Sequence, residues 1–311
     1  LLLLVSDYSH QDFDHLRTEI VQGVDQTAIY NDYWNDADLE LSSDQLKYLQ
    51  EIRILIVSGF LSNVSARFRK AFERWNPIGS ARIDEQILWM QKMGMDVERV
   101  PLESEASPQV NADHIRAAVL KSPKPVFFLS HSKGGIDILK AFQLYPELMD
   151  QTAGWVSVQT PFLGTPAADI WTRTPTHQTW AQRVLEFLGG SVDALLSLRV
   201  SERARDFSEN EEEIISIMKN ARLLSFGSWK LNEKGRLDTP FEVGFRNPME
   251  KAGLLNDGIV PWTSTVLPGI DYIAVEGVDH ITTIGAIQWR PFDRVQFLKA
   301  LLKTWFDLQV E

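Results

Sequence analysis

Short, continuously apolar runs alternate along this chain with longer stretches in which apolar positions recur every three or four residues. The first pattern predicts buried strands and the second predicts amphipathic helices. From Arg53 onward the order is strand 53–57, helix within 67–93, strand 96–101, helix 111–121, strand 125–129, helix 133–145 and strand 155–160. After a gap come strands 223–226 and 271–275 and a final helix over 291–308. Strands that are apolar throughout, separated by helices, call for a mostly parallel sheet covered by helices on both faces, an α/β architecture. The alternation breaks at 167–220, where Trp180, Val184, Leu185, Phe187 and Leu188 mark a helical pattern, and again at 229–250. The expected organisation is an N-terminal extension over 1–50, a core built from 51–166 and 221–311, and a helical insertion over 167–220. Gly189-Gly190 is a candidate hinge within the insertion.

Residues 1–50 carry Tyr30, Tyr33 and Trp34 close to Asp32, Asp36 and Asp38. Calcium binds such hard oxygen ligands, but no 12-residue loop of alternating acids with a central glycine is present, so a solvated surface extension is expected. At 311 residues with 44% hydrophobic and 23% charged, the chain is long enough for one large core plus an insertion. A formal charge of −11 disfavours nucleic acid and anionic membrane as partners, since both require a basic surface. The absence of cysteine excludes disulfides and thiolate metal sites, and is compatible with a reducing cytoplasm or with export. Leucine at position 1 suggests a processed or trimmed chain, and residues 1–5 are the tail of a removed signal or a first strand. No stretch reaches bilayer-spanning length. Asn63-Val64-Ser65 matches a glycosylation acceptor, a pattern too short to carry weight.

Candidate chemistry centres on Ser130-His131-Ser132-Lys133-Gly134-Gly135, which joins the apolar run 125–129 to a helical pattern. A serine alcohol is a weak nucleophile at neutral pH, so an enzyme that uses one must expose the oxygen, set a base beside it and supply donors for an oxyanion. A sharp strand-to-helix turn meets the first need, provided that the residues two before and two after the serine are small. Here they are Ser130, where glycine is usual, and Gly134. Partners should follow in the order serine, acid, histidine, on loops after later strands. His280 follows the strand 271–275; His10 and His15 precede the turn, His114 lies on a helix and His177 in the insertion. His131 adjoins Ser132, so its ring should point away from the serine oxygen, as packing or as a wall of the site. Asp257, in Asn256-Asp257-Gly258, lies between two strands where an orienting carboxylate belongs; Asp279 and Glu276 are nearer to His280 in sequence and compete with it. One oxyanion donor is the N–H of Lys133. The second comes from the loop after strand 53–57, where Gly59 allows close approach and Phe60 is preferred over Leu61.

With these residues in view, the chain resembles an α/β-hydrolase, and more closely a little-characterised group of plant and bacterial lipase-like hydrolases with a His-Ser-Lys-Gly-Gly elbow. Gln159-Thr160-Pro161 through Gly164-Thr165-Pro166, the Asn-Asp-Gly-Ile-Val-Pro acid loop and the Val-Asp-His loop add to the resemblance, which covers roughly residues 52–305. It implies a mostly parallel sheet with a helical cap over 167–220, a Ser132, Asp257, His280 triad, hydrolysis of a small-molecule ester or lipid through an acyl-enzyme, and no cofactor or metal. Trp171, Trp180 and Trp262, with Leu61 and His131, are candidates for the substrate pocket. The same triad would serve an acyltransferase, thioesterase or amidase, and a non-catalytic binding protein on this fold is the alternative of a different class.

Overall fold

A computed structural model of the chain describes residue 16 and residues 22–59, 83–103, 106–172, 192–231, 240–284 and 291–309. Among them, seven strands form one sheet in which every pairing is parallel: β1 (Val24–Asp25), β2 (Arg53–Val57), β3 (Asp96–Arg99), β4 (Val126–His131), β5 (Thr152–Val158), β6 (Leu223–Trp229) and β7 (Asp271–Glu276). Their spatial order is β1-β7-β6-β5-β4-β2-β3. Parallel strands must return over a face of the sheet, so all their carboxyl ends open onto one edge. That edge carries the candidate residues.

Period-two alternation sends neighbouring side chains of one strand into two cores. Leu55 and Val57 of β2 join Trp155 of β5 under α4 (Pro108–Leu120) and α5 (Lys133–Leu144), which contribute Ile115, Ile136, Leu139 and Phe142. Ile54 and Ile56 face the other way, into a core with Phe127, Val156 and Phe226. That side is closed by Met90 of α3 (Ile83–Lys92) and by Phe297, Leu301 and Trp305 of α10 (Arg294–Asp307). Strands apolar on both faces are thus what the sandwich demands.

Residues 22–51 depart from the expected solvated extension. β1 adds to the sheet beside β7, pairing Val24 with Asp271 and Asp25 with Tyr272. α1 (Thr27–Asn35) sets Tyr30 edge-on to Phe226 and Phe297, with ring centroids 5.7 and 6.4 Å away. α2 (Ser43–Glu51) opens with a reciprocal Ser42–Gln45 capping box and buries Leu49. The physical reason is helical spacing: positions 30, 33 and 34 share one helix face, while Asp32, Asp36 and Asp38 are exposed.

Between β5 and β6 lie the extra helices expected of a cap: α6 (Pro166–Thr172), α7 (Val192–Leu196) and α8 (Val200–Asn220). Trp180, the rest of that helical pattern and the Gly189-Gly190 hinge lie outside the described residues. α8 is kinked at Asn210, and beyond the kink Ile214, Ile217 and Met218 pack into the same core as Phe142. It therefore also acts as the crossover helix that brings the chain back to the sheet. α9 (Pro240–Lys251), in the second excursion, buries Met249 with Ala167 and Val200, so the two excursions pack on each other. Among the described residues no helix is long and apolar enough to cross a membrane.

Candidate active site

β4 ends at His131, α5 begins at Lys133, and Ser132 between them has φ 54° and ψ −132°. A non-glycine residue at such a φ carries strain on the order of 1–3 kcal/mol, which the surroundings must offset. Ser132 N–H donates to the Val158 carbonyl at 2.9 Å, while its own carbonyl accepts from Gly135 N–H at 3.1 Å and from Thr160 Oγ1 at 2.8 Å. The turn is tight enough that a Cβ on Gly134 would stand 2.2 Å from the Val57 carbonyl oxygen, so only glycine fits. Ser130, in the usual glycine slot, has a use of its own: its Oγ accepts the buried indole N–H of Trp155 at 2.8 Å.

The acid loop is wound by its own aspartate. Asp257 Oδ1 accepts from the N–H groups of Ile259 and Val260 at 2.9 and 2.7 Å, and Asn256 Oδ1 accepts from Gly258 N–H. This leaves Oδ2 facing His280 Nδ1 at 2.8 Å. With the ring proton held there, Nε2 is the acceptor for the Ser132 hydroxyl, 3.0 Å away. Main chain fixes the pair as well, since His280 N–H donates to the Asp257 carbonyl at 3.0 Å. All three side chains are buried. The competing acids turn elsewhere: Glu276 is exposed at the end of β7, and Asp279 Oδ1 accepts from Ile281 N–H, Thr282 N–H and Thr282 Oγ1.

Lys133 belongs to the first turn of α5, whose amides lack intrahelical acceptors. Its side chain is fully buried and holds both oxygens of Asp137, at 2.6 and 2.9 Å; Asn111 Nδ2 donates to Asp137 at 2.9 Å. Burial alone would push the Asp137 carboxyl up, and the lysine opposes it. On the opposite side, a Cβ on Gly59 would lie 2.6 Å from Ser132 Cβ, so the loop after β2 reaches the nucleophile. Phe60 and Leu61, which follow, lie outside the described residues.

Other candidates fall in different places. His131 is buried with its Nε2 3.1 Å from the His280 carbonyl oxygen. Burial, and His280 beside it, push its pKa down to about 3. Trp171 is half-buried against Phe245, with Leu163, Ile170 and Ile259 nearby. Trp262 is buried between Trp229 and Tyr272, with centroids 5.8 and 6.0 Å away, a core position. Sequence reading gave no role to Gln159 or Thr160. Gln159 has φ 53° and a buried side chain that reaches Ser228, Asp279 and Thr283, and Thr160 braces Ser132. The expected strand ran to residue 160, but β5 ends at Val158, so Gln159 and Thr160 fall in the turn after it. Among the described residues no group of three or more histidines and acids could hold a metal ion.

A parallel sheet with helices on both faces, a strand-elbow-helix carrying a serine, and an acid and a histidine after β6 and β7 define the α/β-hydrolase fold, which this chain has. Solved structures with the same fold include a metagenomic carboxyl esterase, with a TM-score of 0.68 at 19% identity, covering 99% of this chain and 96% of that one. The mature form of the Bacillus licheniformis lipase BlEst2 gives a TM-score of 0.56 at 20% identity, covering 75% of this chain and 86% of that one. No protein-family model matches the chain, and no curated protein does.

Proposed function

We propose that the chain is a serine hydrolase of carboxylic esters, with Ser132 as nucleophile, His280 as general base and Asp257 as its orienting acid. The observation that carries this reading is the continuous pair of contacts from Ser132 Oγ to His280 Nε2 at 3.0 Å and from His280 Nδ1 to Asp257 Oδ2 at 2.8 Å. As Ser132 attacks the acyl carbon, His280 takes its proton, and Asp257 stabilises the imidazolium. The N–H groups of Lys133 and Phe60 are assigned to the oxyanion; one such donor is worth about 3 kcal/mol of transition-state stabilisation. His280 then protonates the leaving alcohol, and water, deprotonated by His280, releases the acid from the acyl-enzyme.

Two fold neighbours whose names are carboxyl esterase and lipase support an ester or lipid as the substrate class. Within the superfamily, the His-Ser-Lys-Gly-Gly elbow suggests the lipase-like group that shares it. The test is turnover of p-nitrophenyl esters from acetate to palmitate by the wild type and by Ser132→Ala. Loss of turnover in the variant is expected, and the chain-length optimum then separates esterase from lipase. Turnover that survives Ser132→Ala would sink the reading.

A further inference from the structure

The loop that carries His280 is held by two side chains to which the proposed chemistry gives no step. His131 Nε2 lies 3.1 Å from the carbonyl oxygen of His280 itself. Gln159 reaches the loop on both sides of it: its Nε2 donates to the Asp279 carbonyl at 3.2 Å, and its Oε1 accepts from Thr283 Oγ1 at 3.0 Å. Gln159 is in turn fixed to the sheet, because its N–H donates to the Phe226 carbonyl at 2.7 Å and its Nε2 to Ser228 Oγ at 2.7 Å. His131 is the residue before the nucleophile. One rigid strand end thus touches the general base twice, through Ser132 at the ring and through His131 at the main chain.

We propose that His131, supported by Gln159, is a positioning residue that registers the His280 backbone against β4 and so sets the Ser132 to His280 contact. This rests on the serine-hydrolase reading above. A carbonyl oxygen only accepts, so the His131 Nε2 must carry a proton, which fixes its tautomer. The ring must also be neutral when His280 becomes an imidazolium, since the two ring centroids are 4.7 Å apart and a second cation there would oppose proton transfer. Burial keeps it so. A lysine or arginine could make the same bond but not without that charge.

The test compares His131→Phe, His131→Gln and Ser132→Ala on one p-nitrophenyl ester, with thermal melts on each protein. Phenylalanine keeps a ring and removes the donor, and a cavity of ≈ 40 Å³ lined by His131 and Leu129 gives it room. Glutamine carries an amide N–H at about the reach of Nε2. We expect kcat of His131→Phe to fall about 10- to 100-fold, the scale of a 1 Å misplacement, with KM within about twofold. Glutamine should restore most of it. A folded His131→Phe with wild-type kcat, a loss confined to KM, or an equal loss in both variants would overturn the proposal. If His131→Phe does not fold, Gln159→Met decides, a fall in kcat supporting the proposal and wild-type kcat defeating it. Activity in Ser132→Ala would mark failure of the underlying mechanism, whereas an inactive Ser132→Ala beside a fully active His131→Phe would defeat only the positioning role.

Discussion

The acid loop and the histidine loop each contain a buried aspartate that winds its own backbone, yet they end in different chemistry. Asp257 and Asp279 both use Oδ1 to accept two main-chain N–H groups two and three residues ahead. The second oxygen separates them: Asp257 Oδ2 meets His280 Nδ1 at 2.8 Å, whereas Asp279 Oδ2 lies 3.8 Å from the ammonium of the buried Lys230. Asp279 adjoins His280 in the chain but its carboxylate faces away, and the acid that reaches the ring is 23 residues upstream. A shared local motif therefore builds each loop, and only the neighbouring strand ends decide which carboxylate serves the site. Proximity in sequence is no guide to proximity in a site made by a sheet edge.

The sharpest way to break that comparison is to neutralise each acid. Asp257→Asn should lower kcat about 10⁴-fold, the amide stabilising the wrong tautomer of His280, and should cost stability on the same scale as Asp279→Asn, since its Oδ1 holds the same two charge-assisted main-chain bonds. Asp279→Asn should cost at most about tenfold in kcat but about 1.5–3 kcal/mol of stability in urea unfolding, because it weakens charge-assisted bonds within the loop. The reverse pattern in kcat would exchange their roles. A third buried carboxylate, Asp137, extends the contrast to a pair beneath the elbow. Lys133→Met should destabilise by about 3–5 kcal/mol, because it leaves that carboxylate uncompensated, and the double variant Lys133→Met, Asp137→Leu should regain most of this in urea unfolding.

Acid sensitivity sharpens the picture further. Unfolded, His131 takes up a proton below pH 6.5; folded, it stays neutral to about pH 3. Between those values the unfolded chain binds more protons, so stability falls with falling pH, by up to about 1.4 kcal/mol per unit from this group. His131→Gln should remove that component, and its unfolding midpoint should decline less steeply than the wild type's below pH 6. The smallest effect is expected from Thr160→Val, which deletes the bond to the Ser132 carbonyl and should cost about 1 kcal/mol. A much larger loss, read by chemical denaturation, would mean that the strained serine depends on this one contact.

Much of the scaffold was legible because continuously apolar strands and a serine between small residues are local patterns. Strands β2, β4 and β7 fall within two residues of their expected bounds, and the order serine, acid, histidine, with the acid placed on a loop between two strands, picks the residues that meet. β5 was misjudged chiefly at its start, because Thr152, Ala153 and Gly154 carry little apolar bulk although the strand begins there beside β4; at its other end the backbone turns at Gln159, where φ is positive. β1, two residues long, carries no periodicity, and the aspartates around Tyr30 hid the helical stripe beneath them. Ser132, His280 and Asp257 could be proposed from their order together with the places of their loops relative to the strands. The supports, Gln159, Thr160 and His131, could not, since each acts through partners more than 25 residues away along the chain.

The pairing of β1 with β7 bears on how the protein is made. Thr27, beside β1, bonds the backbone of Ala274 in β7, 247 residues later. At about 5–20 residues per second of synthesis, the first strand waits on the order of 12–50 s before its neighbour exists. Through that interval the aromatic face of α1 has no α10 to cover it. Among the described strands the earliest made is therefore the last to be placed, and the nascent chain exposes an aromatic face that the finished protein covers.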